Sequence, residues 1–169
     1  MRGAVALFLT LYVLRALVAE ANSALSGMHI WLFAGGLFVA YSALAMPFRE
    51  GFAASVLGGL LCDAVTPVAF GTHAALFGAA HAVVYNARER LQRDETAVRV
   101  LVALLLNVAL FIALTVVRLR MTHGAPVAWP RILSDLVWSQ LVLLLIAPWF
   151  FALQVRTLEL ARANPSRSA

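Results

Sequence analysis

The sequence predicts an all-α fold, a polytopic transmembrane bundle of about six helices with short loops, and three observations predict it. Of 169 residues, 63% are hydrophobic and 12% charged, against roughly 45–50% and 25% in soluble domains. The mean hydropathy is +0.88. The apolar residues fall into about six runs, each near the roughly 20 residues that a membrane crossing takes. At this length, six crossings leave room only for short connections. The expected organisation is one transmembrane domain over residues 1–155 and a short polar cytoplasmic tail over 156–169.

The first run covers residues 3–19. Met1 and Arg2 ahead of it and Ala19-Glu20-Ala21 at its end resemble a secretory signal with its cleavage site. Arg15 breaks the apolar stretch before that site, so the run is read as a retained span. The second and third runs cover 29–46 and 51–66. Thr66-Pro67 separates the third from the fourth, 68–86. Proline lacks a backbone donor and biases its predecessor away from helix, so a tight hairpin is expected there, not one long helix. The fifth and sixth runs cover 98–117 and 132–154. Trp31, Trp129 and Trp149 lie near span ends, where indoles anchor at the membrane interface.

Charge sets the expected orientation. All thirteen basic residues are arginine, and the net charge is +5. In a soluble chain that could suggest nucleic acid, but here the arginines lie mostly between apolar runs and form no basic stripe interleaved with aromatics. With the N-terminus cytoplasmic, the inner segments carry Arg2, Arg49, Arg88, Arg90, Arg93, Arg99, Arg156, Arg162 and Arg167, and the outer ones Arg118, Arg120 and Arg131. That excess predicts both termini inside. Cys62 is the single cysteine, so no internal disulfide can form.

Small and polar residues within the runs are the candidate functional positions. Gly51, Ser55, Gly59 and Asp63 recur every four residues, and Gly71, Ala75 and Ala79 form a second stripe. Such spacing lets helix backbones approach closely in a bilayer, where dispersion and interhelical hydrogen bonds drive association. Either stripe could floor a groove for a partner helix. An acidic group within a span costs about 2.5–3.5 kcal/mol on insertion scales, so Asp63 should face protein or water and find a partner. Arg15, His73, Arg118 and Asp135 reach the same half of the bundle. Structural pairing or helix-end hydrogen bonding and a binding or proton-linked role both remain open for Asp63.

His73, Phe77, His81 and Tyr85 recur every fourth residue. Two histidines eight apart are too distant for one ion on a straight helix, so no metal is expected. His81 is expected to hydrogen-bond within the bundle, with Asn107 as one partner, and Tyr85 to sit at the inner interface. Trp138 and Gln140 could line a cavity together with His81 and Asn107. No G-x-S-x-G, H-E-x-x-H or G-x-x-x-x-G-K motif occurs, and neither enzymatic activity nor a cofactor is expected.

Residues Pro47-Phe48-Arg49-Glu50-Gly51, Gly58-Gly59-Leu60-Leu61-Cys62-Asp63 and Gly71-Thr72-His73-Ala74-Ala75-Leu76 resemble the MreD family of bacterial rod-shape-determining membrane proteins. The shared pattern is a Pro-led apolar segment, a Gly-Leu-Leu-x-Asp core and a glycine about eight residues on that opens the next helix. His73 and His81 lie outside it. The resemblance implies a multi-pass protein of the bacterial cytoplasmic membrane that scaffolds peptidoglycan elongation without catalysis. Its implied partners are the single-pass protein MreC, indirectly the MreB filament and RodA with its transpeptidase, and membrane lipid. The family is similar in architecture to S components of energy-coupling-factor transporters, which implies a second reading, a membrane subunit that binds a small solute or lipid.

Overall fold

The computed structural model describes residues 2–91, 95–121 and 129–163, with side chains from Leu9 to Arg156 within those ranges. Arg93 and Arg167 lie outside the described residues, as do the side chains of Arg2 and Arg162. Among the described residues the chain forms six α-helices and no strand: α1 Arg2–Leu25, α2 Gly35–Ala45, α3 Phe48–Asp63, α4 Thr72–Ala87, α5 Thr96–Met121 and α6 Trp129–Ala163. Two helices are long and apolar enough to cross a membrane, α5 and the Trp129–Arg156 part of α6, and α2 is a shorter apolar helix.

The short helix is the centre of the bundle. Every residue of α2 from Gly36 through Leu44 is buried, as expected of a helix that is apolar around its whole circumference. Helices α3, α4, α5 and α6 pack around it. Tyr41 meets the edge of Phe150 at 6.1 Å, and Phe38 and Phe77 are fully enclosed. The outer surface is apolar as well. Leu101, Leu105, Ile112 and Val116 of α5 and Leu141, Leu145 and Trp149 of α6 point outward, Trp149 being 80% exposed. Trp31 and Trp129 are also half exposed or more.

Helix bounds depart from the apolar runs in three places. First, α1 continues past residue 19 to Leu25, carrying Glu20 on an exposed face. Second, residues 29–34 are not helical although they are apolar. His29 takes a left-handed conformation, φ 56°, that closes the turn Ser26–Met28. Third, α6 holds Pro148 inside it and runs on to Ala163, into the stretch read as a tail. The hairpin at Thr66-Pro67 does separate two helices. α3 stops at Asp63 and α4 opens at Thr72, with Gly71 ahead of it at φ 93°, where a side chain would be strained.

Helices α3 and α4 make the most extensive pairing in the bundle. A Cβ on Gly59 would strike the Ala74 backbone, and one on Gly51 would strike the Ser42 carbonyl oxygen and the His81 ring. The stripe Gly51, Ser55, Gly59 and Asp63 is therefore filled by this chain's own α2 and α4. That corrects the expectation that it could floor a groove for a partner. The second stripe divides: Gly71 is the strained position ahead of α4, while Ala75 and Ala79 face outward.

Candidate functional site

Three polar arrangements lie inside this apolar bundle, two of them at the end where α1, α3 and α5 finish and α2, α4 and α6 begin. The first is built on Asp63, the last residue of α3. Its carboxylate accepts the backbone N–H groups of Gly71 (3.0 Å), His73 (2.9 Å) and Ala74 (3.2 Å), and Nδ1–H of His73 donates to it at 2.8 Å. The first turn of a helix exposes N–H groups with no intrahelical acceptor, and its dipole favours a negative charge there. Asp63 thus caps α4 from the preceding helix. Of the two roles left open for it, helix-end hydrogen bonding is the one its contacts display. Its side-chain partner is His73, whose ring is fixed through Nδ1, with Nε2 as the remaining ring nitrogen. Arg15 instead donates to the Leu61 carbonyl at 2.6 Å.

The second arrangement holds residues 29–34. Buried backbone without helical bonds needs other partners, and four side chains supply several of them. Asp135 accepts from the Trp31 N–H (2.9 Å). Asn22 accepts from the Leu32 N–H (2.6 Å) and donates to its carbonyl (3.0 Å). Ser139 accepts from the Phe33 N–H (3.0 Å). Asn107 accepts from the Gly36 N–H (3.1 Å) and donates to the Phe33 carbonyl (3.0 Å). A Cβ on Gly36 would collide with the Asn107 backbone, so α5 can approach closely enough to bond only because that residue is glycine.

Between these two arrangements lies a cavity of about 500 Å³, within the range of small-molecule sites. Leu11, Leu14 and Val18 of α1, Phe33 and Phe77 form much of its apolar wall. Arg15, Arg118 and His73 also line it, and among the described residues no acidic side chain does. The structure therefore brings Arg15, His73 and Arg118 to one space, with Asp63 behind His73.

The third arrangement is sealed. Ser42 and Ser55 share a hydrogen bond of 2.8 Å, and His81 Nδ1 lies 3.1 Å from Ser42 Oγ and 3.2 Å from Ser55 Oγ. Ser42 also donates to the Val39 carbonyl at 2.9 Å. All three side chains are fully buried. Phe48, Phe52 and Tyr85 surround the imidazole with centroids 5.8–6.0 Å away. This Ser-His contact joins α2, α3 and α4. The partners of His81 are these serines and not Asn107, whose amide is spent on residues 33 and 36. Tyr85 is capped by Arg88, whose guanidinium lies 3.6 Å over its ring and donates to its hydroxyl at 2.8 Å.

The grouping of Trp138, Gln140, His81 and Asn107 around a cavity is corrected. Trp138 is 46% exposed on the outer face of α6. The Gln140 amide is buried with no hydrogen-bond partner among the described residues. The cavity lies instead along α1, against residues 31–35. Sequence reasoning missed Asn22, Ser42, Asp135 and Ser139 as structural partners. The signal was the same for all four, polar residues that interrupt or flank apolar runs: Asn22 after 3–19, Ser42 within 29–46, and Asp135 and Ser139 within 132–154. Among the described residues no cluster of three or more His, Cys, Asp or Glu could hold a metal ion.

The chain matches no family model, no characterised protein and no solved structure. Its residues alone carry the functional reading.

Proposed function

We propose that this chain is a non-enzymatic scaffold of the bacterial cytoplasmic membrane, MreD-like, that serves peptidoglycan elongation by holding a single-pass MreC-like partner. One observation supports it above others. The residues that carry the resemblance, 47–76, belong to a single unit, the α3–α4 hairpin, in which Gly59 lets the helices close, Asp63 caps α4 and Gly71 takes the strained turn position. The apolar outer faces of α5 and α6 suit lipid.

In this reading all six helices cross the bilayer, with both termini cytoplasmic. Helix α2 has 11 residues and rises only about 16 Å, so the non-helical residues 29–34 complete its crossing. Side chains of α1, α5 and α6 engage the N–H groups of Trp31, Leu32 and Phe33 and the carbonyls of Leu32 and Phe33, which supports that crossing. The topology is tested by cysteine labelling on a Cys62→Ala background, with a cysteine at Gly124, a position outside the described residues. Labelling from the periplasmic side is expected, and labelling from the cytoplasmic side alone would overturn it.

The partner helix is expected on the outward Ala75 and Ala79 face, since the Gly59 face is filled internally. The chain should recover an MreC-like partner in pull-downs. Bulky replacement of Ala75 and Ala79 should lower that recovery while expression holds. Recovery no better than that of an unrelated single-pass protein would refute the scaffold reading. The cavity favours the second reading, a subunit that binds a small solute or lipid.

A further inference from the structure

We propose that the cavity between α1, residues 31–35 and the α3–α4 turn holds one alkyl chain of a bilayer lipid and leaves the head of that lipid outside. The inference rests on the reading of this protein as membrane-embedded, and it deepens the second reading by naming the class of molecule held.

The polar side chains of the lining are largely engaged within the protein. Arg15 donates to the Leu61 carbonyl (2.6 Å), Thr66 Oγ1 to the Cys62 carbonyl (2.7 Å) and Ser26 Oγ to the Ser23 carbonyl (2.7 Å). Asn22 is bonded to both backbone groups of Leu32, His73 Nδ1 to Asp63, and Arg118 has an interaction of its own. The Asp63 carboxylate beside His73 also places a negative charge near the two guanidiniums, so the lining does not call for a charged head. Ordered water suits the space no better, because a buried water takes roughly two to four polar partners.

The surface that remains to be covered is apolar. Leu11, Leu14 and Val18 of α1 form its wall together with Leu32, Phe33 and Phe77. Leu11, Leu14, Val18 and Asn22 recur every three or four residues, so the cavity follows one face of α1 for about 16 Å. An elongated apolar space fits a flexible alkyl chain, whose dispersion contacts accumulate along its length, better than it fits a compact molecule. The opening adjoins the apolar outer surface: Ala19 and Val65 of the lining are exposed, and Val13 and Leu17 stand exposed on the neighbouring face of α1. A lipid chain that enters there exchanges lipid neighbours for protein ones without withdrawing apolar surface from water. Its retention therefore comes from packing, and the charge of its head should matter little.

The test uses the full-length protein in phosphatidylcholine nanodiscs, a dodecanol probe with a mid-chain diazirine, and mass spectrometry to map the residues labelled on irradiation. Saturable labelling is expected at Leu14, Val18 and Phe77, whereas Leu105 and Leu145, exposed on the outer faces of α5 and α6, should label in proportion to the probe. Dodecanol, dodecanoate and dodecyltrimethylammonium should compete for the cavity within about threefold of one another, and compact, apolar adamantanol about tenfold less well. Val18→Trp should fill the space and lower labelling of Phe77 by about tenfold, and Ala19→Phe, at the exposed rim, should act in the same direction without touching the packed wall. Leu17→Trp, on the neighbouring exposed face, should leave it unchanged. Cavity labelling that grows without saturation would overturn the proposal by showing unselective partitioning. A tenfold preference for one head charge, or equal competition by adamantanol, would overturn it by showing that the alkyl chain is not what is recognised. A different small molecule that stays bound through purification and is released by Val18→Trp would remove this inference and keep the second reading, whereas a protein that does not enter nanodiscs would remove both.

Discussion

At the α3–α4 turn one carboxylate, Asp63, takes the N–H groups of Gly71, His73 and Ala74. At the α1–α2 connection four side chains from three helices, Asn22, Asn107, Asp135 and Ser139, share the backbone groups of residues 31–36. Both connections carry backbone groups outside helices, and an unpaired buried backbone group is costly. They differ in how far apart in sequence the remedy lies. Asp63 is eight to eleven residues from the groups that it caps, whereas Asn107, Asp135 and Ser139 are 71 to 106 residues from theirs. The hairpin can therefore close as a local unit, while the α1–α2 connection is satisfied only once α5 and α6 are in place.

The largest effect should follow from removing the single remedy. Asp63→Ala leaves three amides and an imidazole without their acceptor and should destabilise by about 3–5 kcal/mol, read by detergent-denaturation monitored by circular dichroism. Asp63→Asn keeps one acceptor oxygen and should cost about 1–3 kcal/mol. Equal losses would show that the carboxylate's charge contributes nothing to the cap.

Gly59→Leu comes next. Its side chain meets Ala74 backbone, which cannot rotate away as a side chain could, and the expected cost is about 2–3 kcal/mol through separation of α3 from α4. A cross-link between cysteines placed on the two helices should slow in proportion. An unchanged cross-linking rate would mean that the pair tolerates a wider spacing.

The smallest single effects should come from the shared remedy. Asn22→Ala and Asn107→Ala each strip two backbone groups and should cost about 1–2 kcal/mol, less than Asp63→Ala because the other side chains still hold residues 31–36. Since both act on one segment, the double substitution should exceed the sum of the single ones. Strict additivity would break the comparison, because it would mean that Asn22 and Asn107 hold independent pieces of chain.

The sequence made the helical class, the hairpin at Thr66-Pro67 and the closeness of Gly59 legible, because apolar runs, proline and small-residue spacing act locally. It also made Asp63 conspicuous, since a lone acid in an apolar run must find partners. It did not show that those partners would be amides ahead of α4, because a backbone N–H leaves no mark in a sequence. Residues 29–34 read as helix since Ile30, Trp31, Leu32 and Phe33 are as apolar as any span, and the side chains that hold them outside a helix, Asn107, Asp135 and Ser139, are remote along the chain. The cavity escaped for a related reason. Alternating spans put Arg15, His73 and Arg118 in one half of the bundle, but nothing local tells that they border one space.

The connection at residues 29–34 has a consequence for amide exchange with solvent deuterium. Within a helix, neighbouring amides open together, so their exchange reports one event. Here the amides of Trp31, Leu32, Phe33 and Gly36 are each guarded by a different side chain, on α6, α1, α6 and α5 in turn. Their exchange rates can therefore diverge. Four nearby positions become separate clocks: if α5 loosens, Gly36 should exchange first while Leu32 stays protected, and a shift of α6 should release Trp31 and Phe33 together.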